Sequence, residues 1–411
     1  MAGKKGVFSI FLIIHGVMSK IRILSIDSIV ILLLAFSAFA SYGSDSMNRI
    51  ALYVAIPISL VLSILRYGVG RICSYYKYFI LMLLWVFISV LWAKDSTLAM
   101  RQIQQLTGVF LICSTIIIVG QNNSNIPALY VVYMIIYVSM WNYIRQNLLG
   151  VIDISDSRME DEKLNANMVA YYTFYFTFIL FILGEILKSE RIKRVLSILF
   201  FLMIPASFII ALLTASRQVL LIQIPLLTVL VYVRYVKGSS IIKKVALVLF
   251  ASVVLALSLD YVDSVYQQSY LALRNEKELE DDVRVQLMKD SFHVGVDHFF
   301  TGVGAGNYVK YSFDGHFSHN TFLELFANTG IIGAMLFIVM VFSFAIRQWR
   351  RYLVHKDRMF LFFFVFGVFF ILDQFFYVFY TKLWLMGFFF LVATHSDNYF
   401  RLSTFNKRIN N

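Results

Sequence analysis

Ser318-His319-Asn320-Thr321-Phe322-Leu323-Glu324-Leu325 closes a long polar loop and opens an apolar run that continues to about residue 345. An apolar run of about 20 residues is what a helix needs to cross the hydrocarbon core. Upstream, the same loop carries Thr301-Gly302-Val303-Gly304-Ala305-Gly306-Asn307-Tyr308. A polar loop ending in a histidine at a membrane surface suggests chemistry, where a plain transmembrane bundle would not.

Working outward, similar apolar runs recur along the chain. It has 411 residues, of which 60% are hydrophobic and 15% charged, and soluble domains carry about 25% charged residues. The alternating strands of a membrane barrel are absent, which leaves a helical bundle as the spanning structure. Window hydropathy predicts about twelve spans near 28–43, 49–65, 78–93, 104–120, 127–145, 166–187, 195–213, 218–234, 245–261, 321–345, 359–377 and 379–394. The expected fold is therefore an all-α polytopic membrane protein, read as a single integral membrane domain over 1–411. The apolar run from Val7 to Met18 is too short to span and reads as an interfacial segment. Met18 is an alternative start to Met1.

Placing the N-terminus inside and alternating gathers most of the 36 Lys and Arg into the inner segments. These include Arg66, Arg71, Lys77, Lys188, Arg191, Lys193, Arg194, Lys243, Lys244, Arg347, Arg350, Arg351, Lys356 and Arg358. Most of the 24 acids then fall outside. Each basic loop between spans agrees with this orientation, and the loop 121–126 is silent. The net charge of +12 is thus loop charge of a polytopic protein, with no nucleic acid implied. Two outer segments are long: an acidic loop over 146–165 and a large loop over 260–320 that carries the glycine motif. Of the two cysteines, Cys73 falls in an inner loop and Cys113 within a helix, so neither a disulfide nor a metal site is expected.

Several outer residues can carry chemistry, and each has a plainer reading. His319 can anchor a helix end, with Ser318 or Asn320 as N-cap, or it can act as a general base, since imidazole titrates near neutral pH. Glu324, a turn into the span, needs a partner at that depth, either His319 or an outer arginine, and it can orient the histidine or merely pair with it. Arg217 can snorkel to the surface or clamp an anion with its planar guanidinium. Arg284, in Asp281-Asp282-Val283-Arg284, can form a local salt bridge or serve as a second cation. Two cations and one base on the outer face would suit a phosphate-bearing lipid donor and a hydroxyl nucleophile. Lys382, between the last two spans, can add to such an anion site. The glycines allow a tight turn or close backbone approach, but no strand precedes them as a dinucleotide fold requires. HExxH, paired CxxC and P-loop patterns are absent, and His293, His298 and His316 have no recognised metal-ligand spacing. No cofactor is expected.

Taken in order, these pieces resemble the bacterial O-antigen ligase/O-antigen polymerase superfamily. They are Asn165-Ala166-Asn167-Met168-Val169-Ala170, Thr214-Ala215-Ser216-Arg217, Val283-Arg284, Phe300-Thr301-Gly302-Val303-Gly304-Ala305-Gly306-Asn307-Tyr308, Ser318-His319-Asn320 with Glu324, and Asn328-Thr329-Gly330-Ile331-Ile332-Gly333. Gln218 departs from the small residue that more often follows the arginine. The resemblance implies a GT-C-like membrane glycosyltransferase of the bacterial cytoplasmic membrane, working on its periplasmic or extracellular side. It implies an undecaprenyl-diphosphate-linked glycan as donor, without nucleotide or required metal. Arg217 and Arg284 would hold the diphosphate and His319 would activate or position the acceptor hydroxyl. Asn167, Asn320, Glu324, Gly304, Gly306 and Lys382 would line the substrate site.

A polymerase would take a lipid-linked repeat unit as acceptor, and a ligase would take lipid A-core. The run from His319 to Gly330 resembles polymerases of O-antigen, capsule or exopolysaccharide more than ligases. Membrane lipids, and a chain-length regulator in the polymerase case, are the implied partners. A polysaccharide flippase is the competing class. It should carry its charges near midplane and show two related halves, and neither is visible here.

Overall fold

The structure is a computed structural model that describes residues 25–69, 74–147, 164–214, 224–236, 240, 267 and 283–410. Among the described residues there are helices and no strand. In chain order the helices are α1 Ile26–Ala40, α2 Asp45–Tyr67, α3 Tyr76–Trp92, α4 Ser96–Gly120, α5 Ile126–Asn147, α6 Ala166–Ile186, α7 Glu190–Thr214, α8 Ile224–Val231, α9 Val283–Asp297, α10 Thr321–His355, α11 Arg358–Asp373 and α12 Leu383–Asn410. α2, α4, α6, α10 and α5 with its lead-in from Asn123 are long and apolar enough to cross a membrane, so the chain is a polytopic helical membrane protein.

Most of these helices match the apolar windows to within a few residues. α10 departs from its window: it continues past 345 to His355, carrying Arg347, Arg350 and Arg351 on a last stretch that hydropathy cannot see. α11 stops at Asp373, short of 377, and α12 runs on to Asn410. The window 245–261 and the start of 218–234 lie outside the described residues, as do Arg217, Gln218, Cys73, the Val7–Met18 run, most of the acidic loop 146–165, and 260–266 and 268–282 of the large loop.

Polar side chains set the helix starts, because the first N–H groups of a helix have no partner within it. Asp95 accepts from Thr97 and Leu98 at 2.9 and 3.1 Å, Asn165 from Asn167 at 2.9 Å, and Asp357 from Met359 at 2.9 Å. Lys356, at φ 53°, closes α10 in the left-handed conformation.

The chain forms two compact units: residues 1–139 with 280–411, and residues 140–279. In the second unit α6 packs along α7. There Arg234 pairs with Glu185 at 3.4 Å, both side chains about 9% exposed, and lies over the Phe181 ring. In the first unit α10 packs on α3, α9 and α11, and α12 packs on α4. Its core is aromatic: Phe344 meets Phe366 and Phe389, and Phe370 stacks on Phe389 at 4.6 Å.

Polar contacts within the first unit sort into two ends. At one end Tyr67 donates to Asp27, Asn122 and Asn125 donate to Tyr67, Asn398 to the Gly120 carbonyl, Tyr399 to Asp357, and Arg351 pairs with Asp397. At the other, Trp384 donates to Ser41, Trp92 to the Thr301 carbonyl, and Thr321 to the carbonyls of Gln374 and Tyr377. Each contact joins segments that the charge pattern puts on one side, and the silent loop 121–126 joins the basic end through Asn122 and Asn125.

Candidate functional site

The site in the first unit is built on a break in α10. Gly330 sits at φ 65°, ψ −170°, so the helix is interrupted just beyond Ala327 and Asn328. A break inside an apolar helix leaves backbone groups that must find partners. The glycine loop supplies them. Val303 and Gly304 donate to the Ala327 and Asn328 carbonyls, both at 2.9 Å, and Ile331 donates to the Phe299 carbonyl at 2.8 Å. Trp85 donates to the Thr329 carbonyl at 2.8 Å.

So close an approach excludes side chains from the loop. Gly302 and Gly304 have φ of 67° and 95°, in the left-handed region. A Cβ at Gly302 would overlap the Asn328–Thr329 peptide, and one at Gly304 would lie 2.6 Å from the Ala93 Cα. Gly306 backs onto the Leu98 carbonyl and Gln102. The close backbone approach expected of these glycines is therefore what they provide. The Gly304 N–H is committed to Asn328.

Asn307 ties the loop to the start of α4. Its oxygen accepts from the Asp95 N–H at 2.7 Å, and its amino group donates to the Asp95 and Ala305 carbonyls at 3.1 and 2.9 Å. Lys310 pairs with the Asp95 carboxylate at 2.7 Å. That lysine first, and then the Leu98 and Thr97 amides, hold the Asp95 carboxyl below the usual range.

His319 lies just before α10, half-buried, with φ 57°. Left-handed backbone is uncommon for a non-glycine residue and costs about 1–2 kcal/mol, and such strain clusters at functional sites. Its neighbours hold it there. Asn320 is the N-cap, accepting from Phe322 and Leu323 at 3.0 and 3.1 Å. The Ser318 hydroxyl donates to the Asn320 carbonyl at 2.9 Å. The Ser318 N–H donates to Glu324 at 2.7 Å. The His319 ring packs on Phe317, 4.4 Å between centroids, and Phe317 meets Tyr377, over which Lys382 sits at 5.2 Å. Lys382 thus belongs to the aromatic wall beside His319.

The buried Glu324 carboxylate bonds Ser318 on one oxygen and Asn328 on the other, at 3.2 Å. Asn328 accepts from the Tyr308 N–H at 2.8 Å, and the Tyr308 hydroxyl donates to the Leu287 carbonyl of α9 at 2.7 Å. Burial, and then the Glu324 and Asp290 charges, raise the Tyr308 hydroxyl well above its ordinary value, so it stays a donor. Arg284 opens α9, three residues before Leu287, on the face of Leu287, Ser291 and Gly295. That face meets α10, where Gly295 admits the Phe326 ring.

The structure therefore brings Arg284, the glycine loop, His319, Asn320, Glu324 and Lys382 onto one framework. Asn167, buried in the first turn of α6, belongs to the other unit, and Arg217 lies outside the described residues. Asn328 and Tyr308 stand in the quoted motifs, but the sequence assigns neither of them a role. A polar residue four positions after a buried glutamate in an apolar run was the available signal for Asn328. Among the described residues no group of three or more His, Cys, Asp or Glu gathers as metal ligands. His316 instead pairs with Asp314 at 3.1 Å, and His298 packs on Tyr311.

Residues 198–338 match the family model described as O-antigen ligase, and this match is consistent with the O-antigen ligase/O-antigen polymerase superfamily that the motifs resemble. The matched span includes Arg217, Arg284, the glycine loop, His319, Glu324 and the Gly330 break. No curated protein matches the chain.

Proposed function

We propose that this protein is a glycosyltransferase with about twelve membrane crossings. It would take an undecaprenyl-diphosphate-linked glycan as donor at the outer face of the bacterial cytoplasmic membrane. The observation that carries this reading is His319, held in strained backbone at a helix start, whose neighbour Ser318 is joined through Glu324, Asn328 and Tyr308 to the glycine loop and the helix of Arg284. The basic end of the first unit faces the cytoplasm, which puts His319 and Arg284 outside. Exposed Phe292, Val296, Phe299 and Phe300 on and just after α9 suit the outer headgroup level, as do Trp85 and Trp92.

In the reaction, the acceptor hydroxyl oxygen forms the new bond to the anomeric carbon of the donor sugar. The bond from that carbon to the diphosphate breaks, and undecaprenyl diphosphate leaves. His319 takes the hydroxyl proton. Arg217 and Arg284 bind the diphosphate and stabilise the charge that grows on it. Neither nucleotide, cofactor nor nucleic acid takes part.

Our reading of the acceptor is a lipid-linked repeat unit, so that the enzyme polymerises O-antigen, capsule or exopolysaccharide, with a chain-length regulator as partner. The residues from His319 to Gly330 favour it. The description of the matched family favours the second reading, ligation of finished glycan to lipid A-core. A deletion strain separates them. Under polymerisation, a single repeat unit still reaches the final anchor and the glycan ladder disappears. Under ligation, long lipid-linked polymer accumulates and none reaches lipid A-core. An unchanged ladder and unchanged intermediates would refute both.

A further inference from the structure

We infer that Glu324 and Asn328 are positioning residues: an exchange-compatible hydrogen-bond pair that fixes His319 and the helix of Arg284 relative to each other. The inference rests on the glycosyl-transfer reading of these two residues and assigns what sets their geometry.

The chain of contacts is continuous and buried. The Leu287 carbonyl accepts from the Tyr308 hydroxyl at 2.7 Å, and the Tyr308 N–H donates to Asn328 at 2.8 Å. Asn328 donates to Glu324 at 3.2 Å, which accepts from the Ser318 N–H at 2.7 Å. Ser318, Asn328 and Tyr308 are wholly buried, and Glu324 is 5% exposed. The orientation of the Asn328 amide follows from its neighbours. Its oxygen must face the Tyr308 N–H, which leaves its amino group for Glu324. The Tyr380 hydroxyl, which takes a bond from Gln102, contacts Asn328 from the side.

A glutamate in an apolar helix is costly unless something requires it. Of the readings open for Glu324 in the sequence, the contacts favour orientation of the histidine, through the Ser318 N–H, over direct pairing with it. Its two oxygens receive one backbone N–H beside His319 and one amide from the broken turn of α10. With the Asn328 carbonyl also bonding the Gly304 N–H, this one turn of α10 meets the glycine loop, the histidine loop and, through Tyr308, α9. Mutual placement of a base and a charge-stabilising group governs rate more than binding.

The hydrogen-bond pattern makes a specific demand. In Glu324→Gln, one amide must meet two donors, and a buried donor loses its acceptor. In Asn328→Asp, two carboxylates face each other. The double variant Glu324→Gln/Asn328→Asp restores the bonds to Ser318 and Tyr308 and the bond between the pair with the groups exchanged, while the Tyr380 hydroxyl can turn to donate to the new carboxylate. The amide now at position 324 accepts from Ser318 and donates to the carboxylate now at position 328, which still accepts from Tyr308. A requirement for the charge of Glu324 itself would not survive that exchange.

The test uses the full-length protein in detergent, with two readouts. For transfer from lipid-linked repeat unit, each single variant should lose about tenfold or more in kcat with KM changed less than threefold, and the double variant should recover to within about threefold of wild type. The thermal midpoint of the double variant should lie above both singles, which reads the hydrogen-bond exchange without any activity. A folded double variant as slow as the singles, or folded singles at full kcat, overturns the positioning role. A double variant less stable than either single overturns the pairing. Tyr308→Phe, which removes one hydroxyl, decides the case if the other variants do not fold: a fall in kcat at constant KM is expected, and an unchanged kcat refutes the link to α9. Wild-type protein without transfer activity would count against the proposed function alone, since the midpoints still test the pair.

Discussion

His319→Asn abolishes transfer and leaves the fold in place. The backbone at this position is left-handed, at φ 57°. Asparagine is one of the few side chains that tolerates that region, so the variant removes the imidazole without adding strain. The Asn320 cap, the Ser318–Glu324 bond and the Thr321 contacts are made by other residues and stay. A positioned general base contributes about 10²–10⁴-fold. Loss on that scale, with unchanged abundance in the membrane and unchanged thermal midpoint, is the expected result. His319→Ala should be as inactive but less stable, because alanine is strained at this φ. Full activity in either variant would remove His319 from the mechanism.

Arg284→Lys should be almost as damaging. Lysine keeps the charge but offers a point donor in place of a planar fork, and a diphosphate is held best by paired, parallel N–H groups. Removing one donor aimed at developing charge typically costs about 10²–10³ in kcat. We expect a loss of that size in repeat-unit transfer, and a similar loss for Arg217→Lys. Retained kcat with a raised KM would instead make these arginines binding groups only.

The sequence made the helical layout legible because apolar windows and N-cap residues report on it directly. Asn165, Asn320 and Asp357 cap helices where the hydropathy changes, whereas α4, capped by Asp95, begins eight residues ahead of its apolar window. The purpose of Gly302 and Gly304 was half legible: close approach was foreseeable, but its target was not. That target is a broken turn more than twenty positions along the chain, and window hydropathy runs through Gly330 as if the helix were continuous. The φ of His319 was hidden for the same reason, since it is set by tertiary contacts on both sides. The Glu324–Asn328 pair was open to a spacing argument, as two polar residues one helical turn apart in an apolar run. That the loop 121–126 lies with the basic end of the first unit could not be read from charge. It follows from the bonds that Asn122 and Asn125 make to Tyr67.

Glycan transfer by the isolated protein is the central claim, and one reaction tests it most directly. Purified protein is incubated with undecaprenyl-diphosphate-linked repeat unit, without nucleotide or other enzymes, and the lipid products are resolved. The account predicts a ladder of lipid-linked oligomers with one undecaprenyl diphosphate released per bond formed, and neither product from His319→Asn. If repeat unit is consumed only when lipid A-core is added, the acceptor is that of a ligase. If neither acceptor yields product or free undecaprenyl diphosphate, the protein is not the transferase described here.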